Sequence, residues 1–327
     1  MKIWLAIVCT ACLSSSSVFA QSAASQIPPP PVRTDPSGIE SVLVTGEQPG
    51  PSLWEVTDGE HSLWILASYA PLPKDMAWRS KEVESIIADS QEVLGAYQAS
   101  FSISGPDTLR TKTSRLRKVL PRKAYSRWQR LRKQYIPRDI ETERLLPVSA
   151  AMLLRVSALE RSGLVYTDDL WRTIYTLANR HKVPVNTRHQ LTIPITEPTA
   201  ASGAKQRRVG VEYLVETMDR LEEDLLAARE RANAWAVGDI DRMREQAKSD
   251  GAYAFLNAQS WPFLQGKQLQ ETMALADRKW VDAADAALKN NTTTFAVLPS
   301  YLIFQESGPL AALAARGYVI REPYAEP

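Results

Sequence analysis

The sequence predicts an α/β fold, a small central mixed or parallel sheet with extensive helical additions. Two patterns carry that expectation. Amphipathic helical stretches run directly into short β-prone runs, first at residues 167–181 into Val183-Pro184-Val185 and again at 270–289 into 294–298. Between them lie long apolar-seamed segments too regular to be loops, which supply the helical additions.

Taken in order, residues 53–57 and 62–66 are β-prone runs joined by Asp58-Gly59-Glu60-His61, and Asp-Gly is a strong hairpin signal. The second run enters Ala67-Ser68-Tyr69-Ala70-Pro71, an exposed strand-to-helix loop. A helix is expected over 80–89, capped by Ser80 with Val83, Ile86 and Ile87 inward, and a strand over 91–97. Residues 146–159 are apolar nearly all round, with Pro147 tolerated in the first turn, and read as a buried central helix. The helix at 167–181, with Thr167 as cap, turns Leu170, Trp171, Ile174, Leu177 and Ala178 inward; Pro184 then weakens the next strand or places it at an edge. Residues 186–208 read as a loop. Over 211–235, Leu214, Met218, Leu221, Leu225, Ala228, Ala232 and Trp235 make one apolar seam, and Gly238-Asp239 ends that helix with Asp239 capping the next. The chain finishes with a loop at 299–307, a helix at 309–316, Gly317 beyond it and a strand at 318–321.

Residues 1–20 carry one cation, Lys2, then an apolar run to Leu13 and small residues ending Val18-Phe19-Ala20, the order of a cleavable secretory signal with cleavage near Ala20. The run is about half the length of a membrane span. Two other readings stand beside it, a helix of the fold and a poor lipoprotein acceptor at Cys12. Residues 21–50 are rich in Pro, Ser, Gln and Gly and read as a tether, with an apolar Val42-Leu43-Val44 patch that can dock on the domain. Residues 51–327 are then expected as a single α/β domain with a helical insert at about 105–165. Both cysteines, Cys9 and Cys12, lie in the signal, so the mature chain has no thiol chemistry. The expected location is periplasmic or secreted, with no transmembrane anchor.

The formal net charge of +2 is too near neutral to indicate a partner. It is unevenly spread, however: residues 110–138 contain twelve Lys or Arg and no Asp or Glu, interleaved with Leu116, Val119, Leu120, Tyr125, Trp128, Leu131 and Tyr135 in helices broken at Pro121 and Pro137. This is either a solvated helical face balanced by acidic segments elsewhere, or an anion-binding face with Arg127, Arg130 and Lys133 at its centre. Its partner, otherwise unknown, would be an anionic envelope ligand, glycan or protein, and an exported address excludes nucleic acid.

The opening Pro51-Ser52-Leu53-Trp54-Glu55-Val56 with Leu63-Trp64-Ile65-Leu66, the turn Trp235-Ala236-Val237-Gly238-Asp239-Ile240, and the blocks Asp277-Arg278-Lys279-Trp280, Phe295-Ala296-Val297 and Leu313 to Val319 resemble the exported bacterial branch of the TraB/PrgY/GumN family. The resemblance implies a TraB/GumN-like fold and, in the family, a metal-dependent hydrolase with two G-x-x-H motifs and acidic residues at strand ends, where imidazole holds a divalent ion that activates water. Here the first motif reads Ala67-Ser68-Tyr69-Ala70 and the second Leu298-Pro299-Ser300-Tyr301, so both glycines and both histidines are replaced. The glutamate expected after the third strand is replaced by Gly95-Ala96-Tyr97, and the family's L-E-T by Arg188-His189-Gln190.

The residue inventory points the same way. The histidines after the signal are His61, His181 and His189, too scattered for a short ligand motif, and solvent-facing or structural roles are expected of them. An all-oxygen carboxylate site stays open, since acidic residues are plentiful. Ser68 and Ser300 occupy the two loops without an identifiable base, and Tyr69 and Tyr301 are expected to line or fill the cleft. The function expected is a non-catalytic binding or structural relative with no cofactor. The alternatives are a hydrolase with an altered carboxylate or serine site, and an envelope adaptor for an anionic partner.

Overall fold

A computed structural model describes residues 50–74, 76, 78, 80–97, 99–103, 115–166, 169–195, 203–249 and 266–323. The expected signal, most of the tether and the Thr167 cap lie outside them. The fold is α/β, a central mixed sheet with extensive helical additions, as the sequence predicts.

The hairpin forms where Asp58-Gly59 places it, as β1 (Leu53–Thr57) and β2 (Ser62–Ser68), with Gly59 at a φ of 102° that favours glycine. Asp58 Oδ1 accepts the amides of Glu60 and His61 and so ties the turn. β3 (Leu72–Pro73) leads to α1 (Lys81–Asp89), whose Val83 and Ile87 are buried. Ser80 precedes this helix but makes no side-chain cap; its backbone, at φ −94° and ψ 3°, lacks the extended conformation usual for a capping residue. The expected strand at 91–97 is only β4 (Glu92–Leu94): past Leu94 the Gly95 amide still bonds the Asn186 carbonyl at the end of β7 (Val185–Asn186), which is itself only two residues long.

The helical additions are α2 (Leu116–Val119), α3 (Arg122–Tyr135) and α4 (Pro147–Arg161), followed by β6 (Leu164–Val165) and α5 (Asp169–Arg180). Next come β7 (Val185–Asn186), α6 (Gly203–Val237), α7 (Ile240–Ser249) and α8 (Gly266–Asn290). The end of the chain is β9 (Thr293–Pro299), α9 (Ser300–Ile303), α10 (Pro309–Ala315) and β10 (Val319–Arg321). Asp239 accepts the Arg242 amide and caps α7, and Gly317 follows α10 at a φ of 98°.

Two expectations are corrected. Residues 186–208 are not a loop throughout, since β8 (Leu191–Ile195) pairs in parallel with β5 (Ala99–Ile103) and α6 begins at Gly203. Pro194 suggests a breaker, yet a two-stranded pair consists only of edges, where a missing amide is tolerated. Residues 299–307 hold the turn of helix α9, with Pro299 as the residue before it.

The main sheet runs β10-β1-β2-β9-β4-β7. β10, β1 and β2 pair antiparallel; β2, β9, β4 and β7 are parallel. β9 lies at the centre and is covered on both faces, so Phe295, Ala296, Val297 and Leu298 are all fully buried. Around it Trp54, Trp235 and Trp280 fill one core. A second core joins Leu116, Trp128, Leu154 and Ala158 to Leu214, Met218 and Leu221 on α6. The seam of α6 therefore serves both cores, its first half facing α3 and α4 and its second half (Ala228, Ala232, Trp235) facing the sheet. Among the described residues no helix is long and apolar enough to cross a membrane.

Candidate functional site

Because β2, β9, β4 and β7 are parallel, their carboxyl ends leave the sheet on one side, where open α/β sheets place their ligand crevice. The register aligns Ala67 with Leu298 and Ser68 with Pro299. Leu94 pairs with both Ala296 and Asn186. Four segments therefore depart together: Ala67 to Ala70, Leu298 to Tyr301, Gly95 to Tyr97, and Thr187 to Gln190. The sequence's candidates Ala67, Ser68, Tyr69, Ala70, Leu298, Ser300, Tyr301 and His189 all belong to these segments. Ala67 and Leu298 are buried core residues, and Ala70 is exposed.

Helix α6 supplies the first wall. One turn apart on its inner face, Trp235 Nε1–H donates to the Ala67 carbonyl at 2.7 Å and Arg231 Nε–H donates to the Tyr69 hydroxyl at 2.9 Å. Helix α8 supplies the second. Tyr97 O–H donates to Asp277 Oδ1 at 2.6 Å, joining the exit of β4 to a residue far along the chain. Asp277 is half-buried, and that burial raises its carboxyl pKa against the opposing pull of Tyr97 and Arg278. Tyr301 packs half-buried on the main core, and burial with the nearby Asp277 charge pushes its phenol well up.

His189 is buried, at 5% exposure, and its Nε2 lies 3.1 Å from the Gly95 carbonyl and 3.3 Å from that of Ala96. Carbonyls only accept, so Nε2 carries the proton and Nδ1 is the bare nitrogen. Desolvation lowers the His189 pKa and keeps the ring neutral. Gln190 Nε2 also donates to Ala96 O, at 3.2 Å. At Gly95 a Cβ would stand 2.9 Å from Thr187 Cγ2 and 3.1 Å from Asn186 O, so the segment after β7 occupies the space of a side chain.

The other two histidines are peripheral, His61 beside Asp58 in the hairpin turn and His181 beside Glu84. The basic stretch packs on the second core instead. Arg127 forms an ion pair with Asp219 of α6, while Arg130 and Lys133 are exposed on α3. Trp128 and Ile136 bury the other face of that helix in the second core.

Among the described residues no group of three or more His, Cys, Asp or Glu converges as a metal site requires. Two such side chains by the strand ends are already engaged, Asp277 of α8 by Tyr97 and His189 by two carbonyls. The sequence model of the TraB/PrgY/gumN family matches residues 52–322. The chain belongs to the TraB/PrgY/gumN family. No curated protein and no solved structure matches it. Within this family member, sequence reasoning found the segments but not Asp277, Arg231 or Trp235 as parts of the site. The one local signal was the spacing of Arg231 and Trp235, four apart on a helix; nothing local links Tyr97 to Asp277.

Proposed function

We propose that this chain is a non-catalytic TraB/PrgY/gumN protein that binds a ligand or partner outside the cytoplasm. The proposed organisation is a signal at 1–20, a tether at 21–50 and one domain from 51 onward with a helical insert at about 105–165. The observation that carries the reading is how the strand ends are filled. Where the family resemblance calls for histidines stand exposed Ala70 and core-packed Tyr301. Where it calls for a carboxylate after β4 stands Gly95, with no room for a side chain. A divalent ion of the zinc type needs three or four converging donors. Among the described residues the donors do not fit one, and no step through a metal follows.

Metal analysis of the purified mature protein, with a peptidase and esterase screen, tests this. Substoichiometric metal and no turnover are expected; one tightly held ion per chain together with turnover refutes it. A second reading, a hydrolase with an altered carboxylate site, is favoured by one observation, the raised carboxyl pKa of half-buried Asp277 beside the Tyr97 hydroxyl. In the same screen, turnover abolished by Asp277→Asn without metal decides for it. The adaptor reading rests on the α3 face, and reversing the charge of Arg130 and Lys133 should then weaken salt-sensitive capture of an anionic polymer such as heparin.

A further inference from the structure

The geometry points to Asp277 as the anchor for a ligand's primary ammonium group, in a site walled by Tyr97 and Tyr301. This rests on the reading of the strand-end crevice as a binding site and names the chemistry it takes.

Three observations lead there. Asp277 is half-buried, yet among the described residues no Lys, Arg or His nitrogen forms an ion pair with it. Ion pairs are common elsewhere, at Asp285 with Lys289 and Arg316, at Glu84 with Arg180, and at Glu55 with Arg321. A desolvated carboxylate without a cation is costly and gains from a partner that brings one. Second, among the described residues its one hydrogen bond is from Tyr97 to Oδ1, at 2.6 Å, which fixes the carboxyl and leaves Oδ2 as an acceptor. Third, among the described residues two phenols interact with it, one by contact and one through its charge. Tyr301 of α9 feels the Asp277 charge, Tyr97 touches it, and the neighbouring cation is Arg278 on the same helix, exposed and beyond ion-pair distance.

Phenols suit an ammonium in two ways. Their oxygens accept from N–H, and their ring faces attract a cation. A compact ammonium with three donors fits one carboxylate oxygen and adjacent phenol oxygens, whereas a guanidinium's fork seeks both carboxylate oxygens, one of which Tyr97 holds.

The probe is n-butylamine at pH 7.5, titrated calorimetrically into the mature protein, with butyrate and tetramethylammonium as comparisons. Saturable binding of butylamine is expected, with no binding of butyrate and at least tenfold weaker binding of tetramethylammonium. Asp277→Asn, whose amide oxygen still accepts from Tyr97, should weaken butylamine at least tenfold while circular dichroism is unchanged. Tyr301→Phe should weaken it several-fold. A peptide with one lysine, compared with its acetyl-lysine form, separates a protein-borne amine from a small free one. No saturable binding in the wild type, or equal affinity in Asp277→Asn, overturns the assignment. Metal-dependent turnover would overturn the non-catalytic reading and leave amine capture standing, so the two failures are distinguishable.

Discussion

Trp235 and Trp280 offer a controlled comparison at the wall of the site. Both are fully buried in the same core. Trp235 Nε1–H bonds the Ala67 carbonyl at 2.7 Å, whereas Trp280 Nε1 has no acceptor among the described residues. Replacing either indole by phenyl removes roughly 40 Å³ of packed volume, and at about 24 cal/mol per Å³ this costs about 1 kcal/mol. At Trp235 the change also strands a buried carbonyl at the end of β2, adding about 1–3 kcal/mol. Trp280→Phe should therefore cost about 1 kcal/mol or less, because it also removes an unpaired donor, and Trp235→Phe about 3 kcal/mol. At about 2–4 °C per kcal/mol for a domain of this size, Trp235→Phe should lower Tm by about 6–12 °C and Trp280→Phe by about 2–4 °C. Urea and thermal unfolding followed by circular dichroism measure both. Equal losses, or a larger one at Trp280, would refute the account of the α6 wall as held to β2 by that hydrogen bond.

Other outcomes follow from single contacts. Gly95→Ala should destabilise by about 1–3 kcal/mol, since its Cβ meets Thr187 Cγ2 at 2.9 Å and backbone at 3.1 Å; an unchanged urea midpoint would mean that the segment after β7 yields freely. Asp277 has its pKa raised in the fold, so its stabilising share is full below the unfolded pKa of 3.8 and is lost as pH rises through the folded value. Asp277→Asn should consequently raise Tm at pH 7 with the gain vanishing near pH 3, and a gain independent of pH would exclude burial as the cause. His189 is the opposite case, its pKa lowered, so stability present above its unfolded value of 6.5 is lost as pH falls through the folded one. Its ring should stay neutral in NMR titration below pH 6.5, and titration at the ordinary value would contradict the two-carbonyl placement. Arg127→Ala should cost less than about 1 kcal/mol, because its pair with Asp219 is substantially exposed; a loss above 2 kcal/mol in urea unfolding would assign that pair a structural role.

The legible parts of the fold are those governed by neighbours in sequence. The Asp58-Gly59 turn, the Pro147 helix start, the Asp239 cap and Gly317 each answer a local demand of backbone geometry, and each stands where the sequence puts it. β5 and β8 were harder, because Ala99–Ile103 and Leu191–Ile195 are short and one contains Pro194, so their pairing depends on each other rather than on propensity. At the site, the residue types in the two loops were readable, but their consequences were not. Gly95 reads only as a small residue after β4, and it is the approach of Thr187 Cγ2 and the Asn186 carbonyl that makes an added side chain tight there.

By itself, then, the sequence determined the α/β class, the order of most elements, the absence of cysteine after residue 12 and the residue types that stand at Ala70 and Tyr301. The tertiary structure decided that β9, near the end of the chain, inserts between β2 and β4, and that this insertion aligns Ala67 with Leu298. It also decided that Tyr97 meets Asp277 and that Arg127 faces Asp219. The physical reason is the same in each case. Turns, caps and helical faces are set by a few adjacent residues, whereas strand neighbours and cross-helix partners are set by which surfaces bury together, and that is a property of the whole chain.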